Sequence, residues 1–205
     1  CYTVGEHTLH TLTHVEPDKV LRLAMLLHDV AKPTCITTDE AGQNHFKGHP
    51  VKGAEMAKAI LHRLKFDNDT TDRVCRLVRY HDDRPELTER TMRRMMNRIG
   101  VENMPSLLAV KRADTLGQSM YHREKKLAYV DTMERLFTEI CAAQQCVQKN
   151  DLAIGGADLI AMGMKPGKEI GAILNELFER VLDDPELNQR DKLLELAHNL
   201  MTRLI

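Results

Sequence analysis

The sequence predicts an all-α fold, with a helical core over residues 1–120 and a helical C-terminal region over residues 121–205. Apolar residues recur at three- and four-residue intervals almost throughout, which is typical of amphipathic helices. Thr and Val are few and rarely alternate with polar residues, so no convincing strand pattern is present. The pair Gly155-Gly156 interrupts the helical pattern and precedes a separate helical tail.

Helix boundaries in the first half follow from the positions of Pro, Asp and Asn. Glu16-Pro17-Asp18 opens a helix, because Pro is tolerated in a first turn, and Pro33 is expected to end it. A polar loop containing Asp39, Gly42 and Asn44 follows. Two further helices are expected, from His49 to about Phe66, and from the break at Asp67–Asp69 to Arg84-Pro85.

The second half continues the helical pattern. Helices are expected over Thr88–Ile99, Pro105–Gly117 and His122–Lys149, followed by a helix–turn–helix–turn–helix tail. The tail contains an apolar stripe at helical spacing, formed by Ile170, Ile173, Leu174, Leu177, Phe178, Val181 and Leu182. Because an apolar face normally packs inward, the stripe is predicted to be core rather than an interface.

The composition is that of a soluble globular protein. The chain has 205 residues, of which 42% are hydrophobic, 29% charged and 4% aromatic, so Leu, Met, Ala and Val must fill the core. Its five Cys form no C-x-x-C pair, which supports neither a zinc–thiolate site nor a disulfide framework and favours reduced thiols in a cytoplasmic protein. No signal peptide or long apolar run points to export or a membrane.

Charge is unevenly distributed along a chain whose net charge is only −1. Residues 73–126 contain 13 Lys or Arg against 7 Asp or Glu, whereas residues 151–205 contain 6 against 10. A basic middle and an acidic end predict a polyanionic partner that contacts one region. Solvated helix faces are an equally good interpretation.

The dipeptide His28-Asp29 is the first candidate for chemistry. It lies at the end of a hydrophobic helix, where a lone His would usually be a core residue with satisfied hydrogen bonds. The adjacent carboxylate changes that interpretation, because buried Asp is rare unless it is paired or bound to metal. Imidazole and carboxylate together suit a divalent cation such as Mg, Mn, Ni, Fe or Zn.

Four other residues are candidates at helix ends or on apolar helix faces: His7, His49, His81 and Asp114. Each has a simpler interpretation. His7 and His81 would be surface residues, His49 a helix-start residue, and Asp114 the partner of Arg112 or Arg79. Structural or surface roles are predicted for the other histidines: His10, His14, His45, His62, His122 and His198. His10 lies one helical turn after His7, so support of a site residue is the alternative role for it.

The order H…HD…H…H…D resembles the HD superfamily of metal-dependent phosphohydrolases. The resemblance implies that His7, His28, Asp29 and Asp114 bind the principal metal. It also implies that His49 and His81 hold a second metal or contact the substrate phosphate. Asp29 would bridge the metals or orient the nucleophile, and Lys32 would reach a phosphate oxygen, although charge complementation at a helix C-terminus explains Lys32 equally well.

Longer motifs resemble one branch of that superfamily. They include Gly5-Glu6-His7-Thr8-Leu9, Leu26-Leu27-His28-Asp29-Val30-Ala31-Lys32-Pro33, Phe46-Lys47-Gly48-His49-Pro50 and Arg79-Tyr80-His81-Asp82, with Ile154-Gly155-Gly156-Ala157-Asp158-Leu159 in the tail. This branch is the HD-containing bacterial tRNA nucleotidyltransferases, the CCA-adding and poly(A) polymerase family. The resemblance implies an HD domain over 1–120, a body and tail over 121–205 with tRNA contacts, and hydrolysis of 2′,3′-cyclic phosphates, 2′-nucleotides and simple phosphate esters.

The chain departs from that family in one respect. The family's nucleotidyl transfer resides in an N-terminal head domain with a Gly-Ser element and paired carboxylates on a strand, and nothing here matches it. The chain does not begin with Met, and His7 follows its first residue closely. We therefore expect a segment of a longer polypeptide that does not add CCA by itself.

Three functional hypotheses follow. The first is a metal-dependent phosphohydrolase acting on nucleotide or RNA-terminal phosphates. The second is a tRNA-binding module in which the stretch 73–126 contacts RNA and the HD residues are structural. The third, against which the tail motif argues, is a nucleotide hydrolase unrelated to tRNA. The sequence leaves metal identity and oligomeric state open.

Overall fold

The computed structural model describes residues 3–202, and the all-α prediction is confirmed there. One small β-hairpin, Thr37–Thr38 (β1) with Asn44–His45 (β2), accompanies ten α-helices. The helices are α1 (Val4–Leu12), α2 (Lys19–Leu27), α3 (His49–Arg63), α4 (Asn68–Tyr80), α5 (Glu89–Ile99), α6 (Met104–Gly117), α7 (Arg123–Ala142), α8 (Gly156–Ala161), α9 (Lys168–Asp183) and α10 (Arg190–Met201). No helix in the described part of the chain is both long and apolar enough to cross a membrane.

The chain divides into two compact units. The first contains the described residues up to Glu86 together with Glu102–Arg135. In this unit α1, α2, α4 and α6 pack on one another, and α3 packs along α4. Its fully buried side chains include Met25, Leu61, Leu77, Val78 and Leu107. These residues fall on the helix faces that the apolar periodicity marks.

The second unit contains Leu87–Val101 and the described residues from Leu136 onward. Helices α8, α9 and α10 pack together here, and α5 packs on α9. Five residues of the predicted tail stripe are buried in its core, which confirms that the stripe is core: Ile173, Leu177, Phe178, Val181 and Leu182. The functional division at residue 120 stays a prediction.

Helix N-termini lie where the polar residues predicted them. The side chains of Asp18, Asp67 and Thr88 each accept a hydrogen bond from a backbone N–H in the first turn of α2, α4 and α5. Such caps satisfy donors that have no partner within the helix. Helix starts are therefore well determined by local sequence in this chain.

Two predicted helices were too long. The first predicted helix ends at Leu27 instead of continuing to Pro33, because backbone bonds from Val30 to Leu27 and from Lys32 to Asp29 tighten the chain into successive turns. The last predicted helix of the body ends at Ala142 instead of Lys149, and Gln144 follows with a left-handed φ of 49°. Neither end carries a local stop signal at the residue where the helix ends.

The polar loop expected between α2 and α3 contains a short β-hairpin, whose strands the sequence pattern did not indicate. Asp39 accepts hydrogen bonds from the backbone N–H groups of Ala41 and Gln43 through its side chain, and Gly42 has a φ of 76°. This turn brings Thr37 opposite His45 and Thr38 opposite Asn44. Two-residue strands are too short to produce an alternating pattern that a sequence could reveal.

Candidate metal centre

The six residues predicted as metal or phosphate ligands lie together in the first unit. His7 lies on α1, and His28 and Asp29 directly follow α2. His49 begins α3, His81 directly follows α4, and Asp114 lies on α6. All six are buried, with at most 8% of any residue exposed. The surface interpretation of His7 and His81 is therefore wrong, whereas His49 does begin a helix, as its simpler interpretation held, and is buried as well.

Three of the histidines are oriented by the same local device. The Nδ1 atoms of His28, His49 and His81 donate to the backbone carbonyls of Met25, Phe46 and Val78, respectively, at 2.7–2.8 Å. Each acceptor lies three residues earlier in the chain. Because a carbonyl only accepts, Nδ1 must carry the proton, and Nε2 is left with a free lone pair that faces the other histidines.

His7 is oriented by a long-range contact. Its Nδ1 atom donates to the carbonyl of Gly117 at 3.3 Å. A Cβ atom at Gly117 would lie 2.4 Å from Cγ2 of Thr11, so only glycine allows α1 and α6 to approach this closely. The proximity of these two helices places His7 beside Asp114, with 2.9 Å between Nε2 and Oδ1.

Asp29 lies at the centre of the cluster and is shared by two groups of ligands. Its Oδ2 atom lies 3.3 Å from His28 Nε2 and 3.6 Å from His7 Nε2. Its Oδ1 atom lies 3.4 Å from His49 Nε2 and 3.7 Å from His81 Nε2. The two groups, one also reached by Asp114, are therefore joined through a single carboxylate.

The donor set fits a cation better than it fits hydrogen bonding alone. The Nε2 atoms of His7 and His28 lie 3.2 Å apart, and those of His49 and His81 lie 3.3 Å apart. Two lone pairs at this distance repel unless a proton or a cation lies between them. Asp29 Oδ1 is buried and has no hydrogen-bond partner among the described residues. Such an orphaned acceptor among imidazole nitrogens is typical of a metal ligand.

The pKa values of His28 and Asp29 in the protein without a cation also reflect this close packing of imidazoles and carboxylates. Burial alone would lower the pKa of His28, but hydrogen bonding to Asp114 and Asp29 raises it from 6.5 to about 9. Burial would raise the pKa of Asp29, yet the facing imidazoles of His28, His49 and His81 hold it far below its usual range. Without a cation, a proton on His28 would balance part of the negative charge of these carboxylates.

Lys32 is part of this charge network. Its Nζ atom lies 2.6 Å from Asp29 Oδ2, and about a quarter of its side chain is exposed. The Nζ atom therefore reaches both the buried carboxylate and the solvent outside. Its predicted contact with a phosphate oxygen stays a prediction.

Two openings lead to the cluster. A cleft of about 910 Å³ is lined by His49, His81 and Asp114 and by cationic side chains that include Lys32, Lys47, Arg84 and Lys126. A smaller cavity of about 330 Å³ also reaches His81 and Asp114 and continues to His122, Lys125, Tyr129 and Val130. The buried ligands can therefore be reached by a small molecule from solvent.

Gln118 is a supporting residue that the sequence did not single out. Its Nε2 atom donates to both carboxylate oxygens of Asp114 at 3.1 Å. Its Oε1 atom in turn accepts from Nζ of Lys126. The spacing of four residues between Asp114 and Gln118 is a helical one, but nothing in a single sequence distinguishes it from an ordinary polar pair.

Lys111 is a second residue that the sequence did not reveal. It is buried, and its Nζ atom donates to the carbonyls of His81 at 2.8 Å and Asp83 at 2.5 Å. Burial lowers its pKa from 10.5 to about 8. Lys111 thereby satisfies carbonyls just beyond the end of α4, next to a candidate ligand.

Arg112, which the sequence offered as a partner of Asp114, pairs with Asp131 and Glu134, both at 2.8 Å. His45 pairs with Asp39 in the hairpin, and His10 is exposed on α1. The free thiols in the described residues are those of Cys35, Cys75, Cys141 and Cys146, and Cys1 lies outside the described residues.

Comparisons with known proteins identify relatives over most of the chain. A family model for tRNA nucleotidyltransferase domain 2 matches residues 51–197. The chain is 32% identical over 185 residues to the CC-adding tRNA nucleotidyltransferase of Thermus thermophilus. It is 33% identical over 181 residues to the A-adding tRNA nucleotidyltransferase of Deinococcus radiodurans. Each match covers 85% of this chain.

The matches cover only part of each relative. They span 40% of the Thermus thermophilus enzyme and 41% of the Deinococcus radiodurans enzyme. A shorter match, 37% identical over 73 residues, joins 36% of this chain to 18% of the CCA-adding enzyme of Lacticaseibacillus paracasei. The chain therefore spans about two fifths of the length of the first two relatives.

Proposed function

Because this chain belongs to the tRNA nucleotidyltransferase domain 2 family, we propose that it forms the body and tail of a tRNA-processing enzyme and contains its own phosphohydrolase site. The resemblance inferred from the motifs is confirmed at the level of the family. In this proposal the HD domain is residues 1–120, the tail is 121–205, and nucleotidyl transfer requires a head domain that the sequence does not match. We further propose a cytoplasmic location.

The observation that supports a metal-dependent hydrolase is the arrangement around Asp29. Two pairs of imidazole nitrogens face opposite oxygens of this one buried carboxylate, and Asp114 adds a second carboxylate on one side. His7, His28, Asp29 and Asp114 would hold the principal cation. His49 and His81, with the other Asp29 oxygen, would hold a second cation or contact the phosphate. Mg, Mn, Ni, Fe and Zn all suit these ligand types.

The chain's own residues provide the rest of the chemistry. A bound divalent cation lowers the pKa of an attacking water towards about 7 and neutralises charge on the phosphoryl group. Lys32 holds Asp29 in one orientation through the 2.6 Å ion pair. Lys47, Arg84 and Lys126, which line the cleft, would bind non-bridging phosphate oxygens.

The substrate class follows from the cleft and from the relatives. Its cationic lining favours an anionic substrate, and the similar proteins act on tRNA according to their names. We therefore propose phosphate esters of nucleotides or RNA ends. The resemblance to the HD-containing tRNA nucleotidyltransferases implies that they are of the 2′,3′-cyclic phosphate and 2′-nucleotide type. A stand-alone hydrolase of other nucleotides would be indicated by a clear preference for those substrates.

Metal analysis of the purified chain, joined to hydrolysis of a 2′,3′-cyclic nucleotide, tests the proposal. We expect at least one divalent cation per chain and hydrolysis that chelation removes and metal restores. The affinity of the protein for the metal should also rise about tenfold per pH unit between pH 7 and 8. The reason is that one proton must leave His28, whose pKa is about 9 without metal. Metal-free protein that cannot be loaded at any pH from 6 to 9 would refute the site.

A tRNA contact through residues 73–126 is a second proposal. The ion pairs of this stretch reduce the number of cations that are candidates for the contact. Several cations of this stretch are engaged within their own unit. Arg90 and Arg94 pair with Asp183, and Arg112 pairs with Asp131 and Glu134. Among the cations that line the cavity beside the candidate metal cluster, Lys125 is the better candidate, because Arg84 pairs with Asp82 and Lys126 donates to Gln118. RNA binding through this stretch should weaken steeply with salt, and the oligomeric state is left open.

A further inference from the structure

The loop between α6 and α7 contains the one exposed Tyr or Phe side chain of the described residues. Tyr121 is 75% exposed, as is its neighbour Met120, in a chain with no Trp and only 4% aromatic residues. The other described Tyr and Phe residues are buried or half-buried. A large exposed ring is therefore unusual for this chain, and this one directly precedes His122, which lines a cavity at the candidate metal centre.

The ring is held in a defined arrangement. The centroids of the Tyr121 and His122 rings lie 3.9 Å apart, with 51° between their planes. His122 has a left-handed φ of 56°, a conformation that is uncommon for a residue other than glycine. Arg123 donates to the carbonyls of Leu116 and Gln118, which ties this loop to the end of α6. The loop thus presents two exposed rings in a tilted contact.

The same loop borders the cavity that reaches the metal cluster. His122, Lys125 and Lys126 line this cavity of about 330 Å³ together with His81 and Asp114. A group bound against the loop can therefore belong to the molecule whose phosphate lies at the cluster. The volume is near the lower end of the range for small-molecule sites, which suits one nucleoside-sized group.

The charges near the loop favour an anionic ligand. Arg84, Lys111, Lys125 and Lys126 line the cavity, and Asp114 is the carboxylate that faces them there. An aromatic ring next to cations is the combination that binds a nucleobase and its phosphate, because the ring stacks on the base while the cations bind the anion. Two exposed apolar side chains are too few for a lipid surface or an apolar protein partner.

We propose that Tyr121, supported by His122, stacks on the nucleobase of the substrate and gives the site its preference for nucleoside phosphates over phosphate esters without a base. This inference rests on the proposed hydrolase function for its kinetic consequence. The stacking itself is a binding property and is measurable without catalysis. Tyr121 is therefore assigned as a specificity-determining residue.

The test replaces Tyr121 by Ala and compares two substrates of the metal-loaded protein, adenosine 2′-monophosphate and glycerol 2-phosphate. We expect KM for the nucleotide to rise about tenfold, the usual effect of losing one base–aromatic stack, with kcat unchanged within about twofold. KM for glycerol 2-phosphate should not change. Tyr121→Phe should restore the nucleotide KM, because the ring and not the hydroxyl makes the contact.

Met120→Ala is the matched control, since it removes an equally exposed side chain from the same loop without removing a ring. It should leave both KM values unchanged. Equal increases for both substrates in Tyr121→Ala, or no increase for either, would overturn the inference. The first would show a structural role and the second would show no base contact.

A binding titration separates this inference from the proposed function. Adenosine 2′-monophosphate is titrated into wild type and Tyr121→Ala, and a dissociation constant about tenfold weaker for the variant is expected even if neither protein hydrolyses any ester. Absence of hydrolysis in wild type would count against the proposed function alone. Equal dissociation constants would refute the stacking. A short RNA ending in a 2′,3′-cyclic phosphate, titrated in parallel, distinguishes an RNA end from a free nucleotide as the preferred source of the base.

Discussion

Replacement of Asp29 by Ala is expected to remove metal binding and to lower hydrolysis by about a thousandfold or more. Asp29 is 1% exposed, and its two oxygens face four imidazole nitrogens. Without it, both ligand groups lose their common carboxylate, and neither retains the charge needed to balance a divalent cation. Metal content and the rate of hydrolysis of a 2′,3′-cyclic nucleotide are the two measurements.

Graded variants make this result specific to the site. Gln118→Leu keeps every proposed ligand but removes both hydrogen bonds to Asp114, so metal affinity should fall about 10- to 100-fold without being abolished. Asp69→Ala removes an exposed carboxylate of α4 and should leave metal content and rate unchanged within about twofold. An Asp29→Ala protein that is folded by circular dichroism and keeps full metal content and activity would show that the cluster is structural.

Replacement of Arg93 by Met is expected to lower the free energy of unfolding of the second unit by about 3 kcal/mol or more. Arg93 is 3% exposed and donates to the carbonyls of Leu182 and Asp183 at 2.8 and 3.1 Å. These carbonyls lie in the last turn of α9 and have no partner within the helix. Its Nη1 atom also donates to Gln145 at 2.8 Å. Met fills similar volume but leaves these acceptors buried without a donor.

Hydrogen exchange of α9 amides measures this change within the second unit, independently of the first. Arg90→Ala is the control, because Arg90 makes two hydrogen bonds of 2.7 Å to Asp183 but is mostly exposed. An exposed ion pair contributes at most about 1 kcal/mol, so the control should have a small effect. If both variants destabilised α9 equally, carbonyl capping by Arg93 would not be the cause.

Much of the helical framework is predictable because its signals are local. Asp18, Asp67 and Thr88 cap helices at the positions where their side chains indicated a start. A cap needs only a side-chain acceptor within three residues of a free N–H, so a short window of sequence contains the whole interaction. The apolar stripe of α9 was predictable for the same reason, since its period is a property of one helix.

Helix ends and the hairpin were harder to predict. The helix that contains Leu27 ends before His28 because a series of tight turns replaces the helical bonds, and Pro33 lies several residues later. The strand pair Thr37–Thr38 and Asn44–His45 depends on a turn around Asp39 instead of an apolar alternation. In both places the hydrogen bonds that set the structure are made within turns, and turns produce no periodic pattern of apolar residues.

The sequence by itself determined the all-α class, the core stripe of the tail, the family and the choice of six residues that the structure brings together. These rest on local periodicity and on motifs whose order is visible along one chain. Only the tertiary structure decided that both oxygens of Asp29 face imidazole nitrogens, that Gln118 holds Asp114, and that Lys111 reaches the carbonyl of His81. The physical reason is that these contacts depend on helix packing, which brings together residues far apart in the chain. His7 reaches the carbonyl of Gly117 only because a glycine, which has no Cβ atom, lets α1 and α6 approach closely.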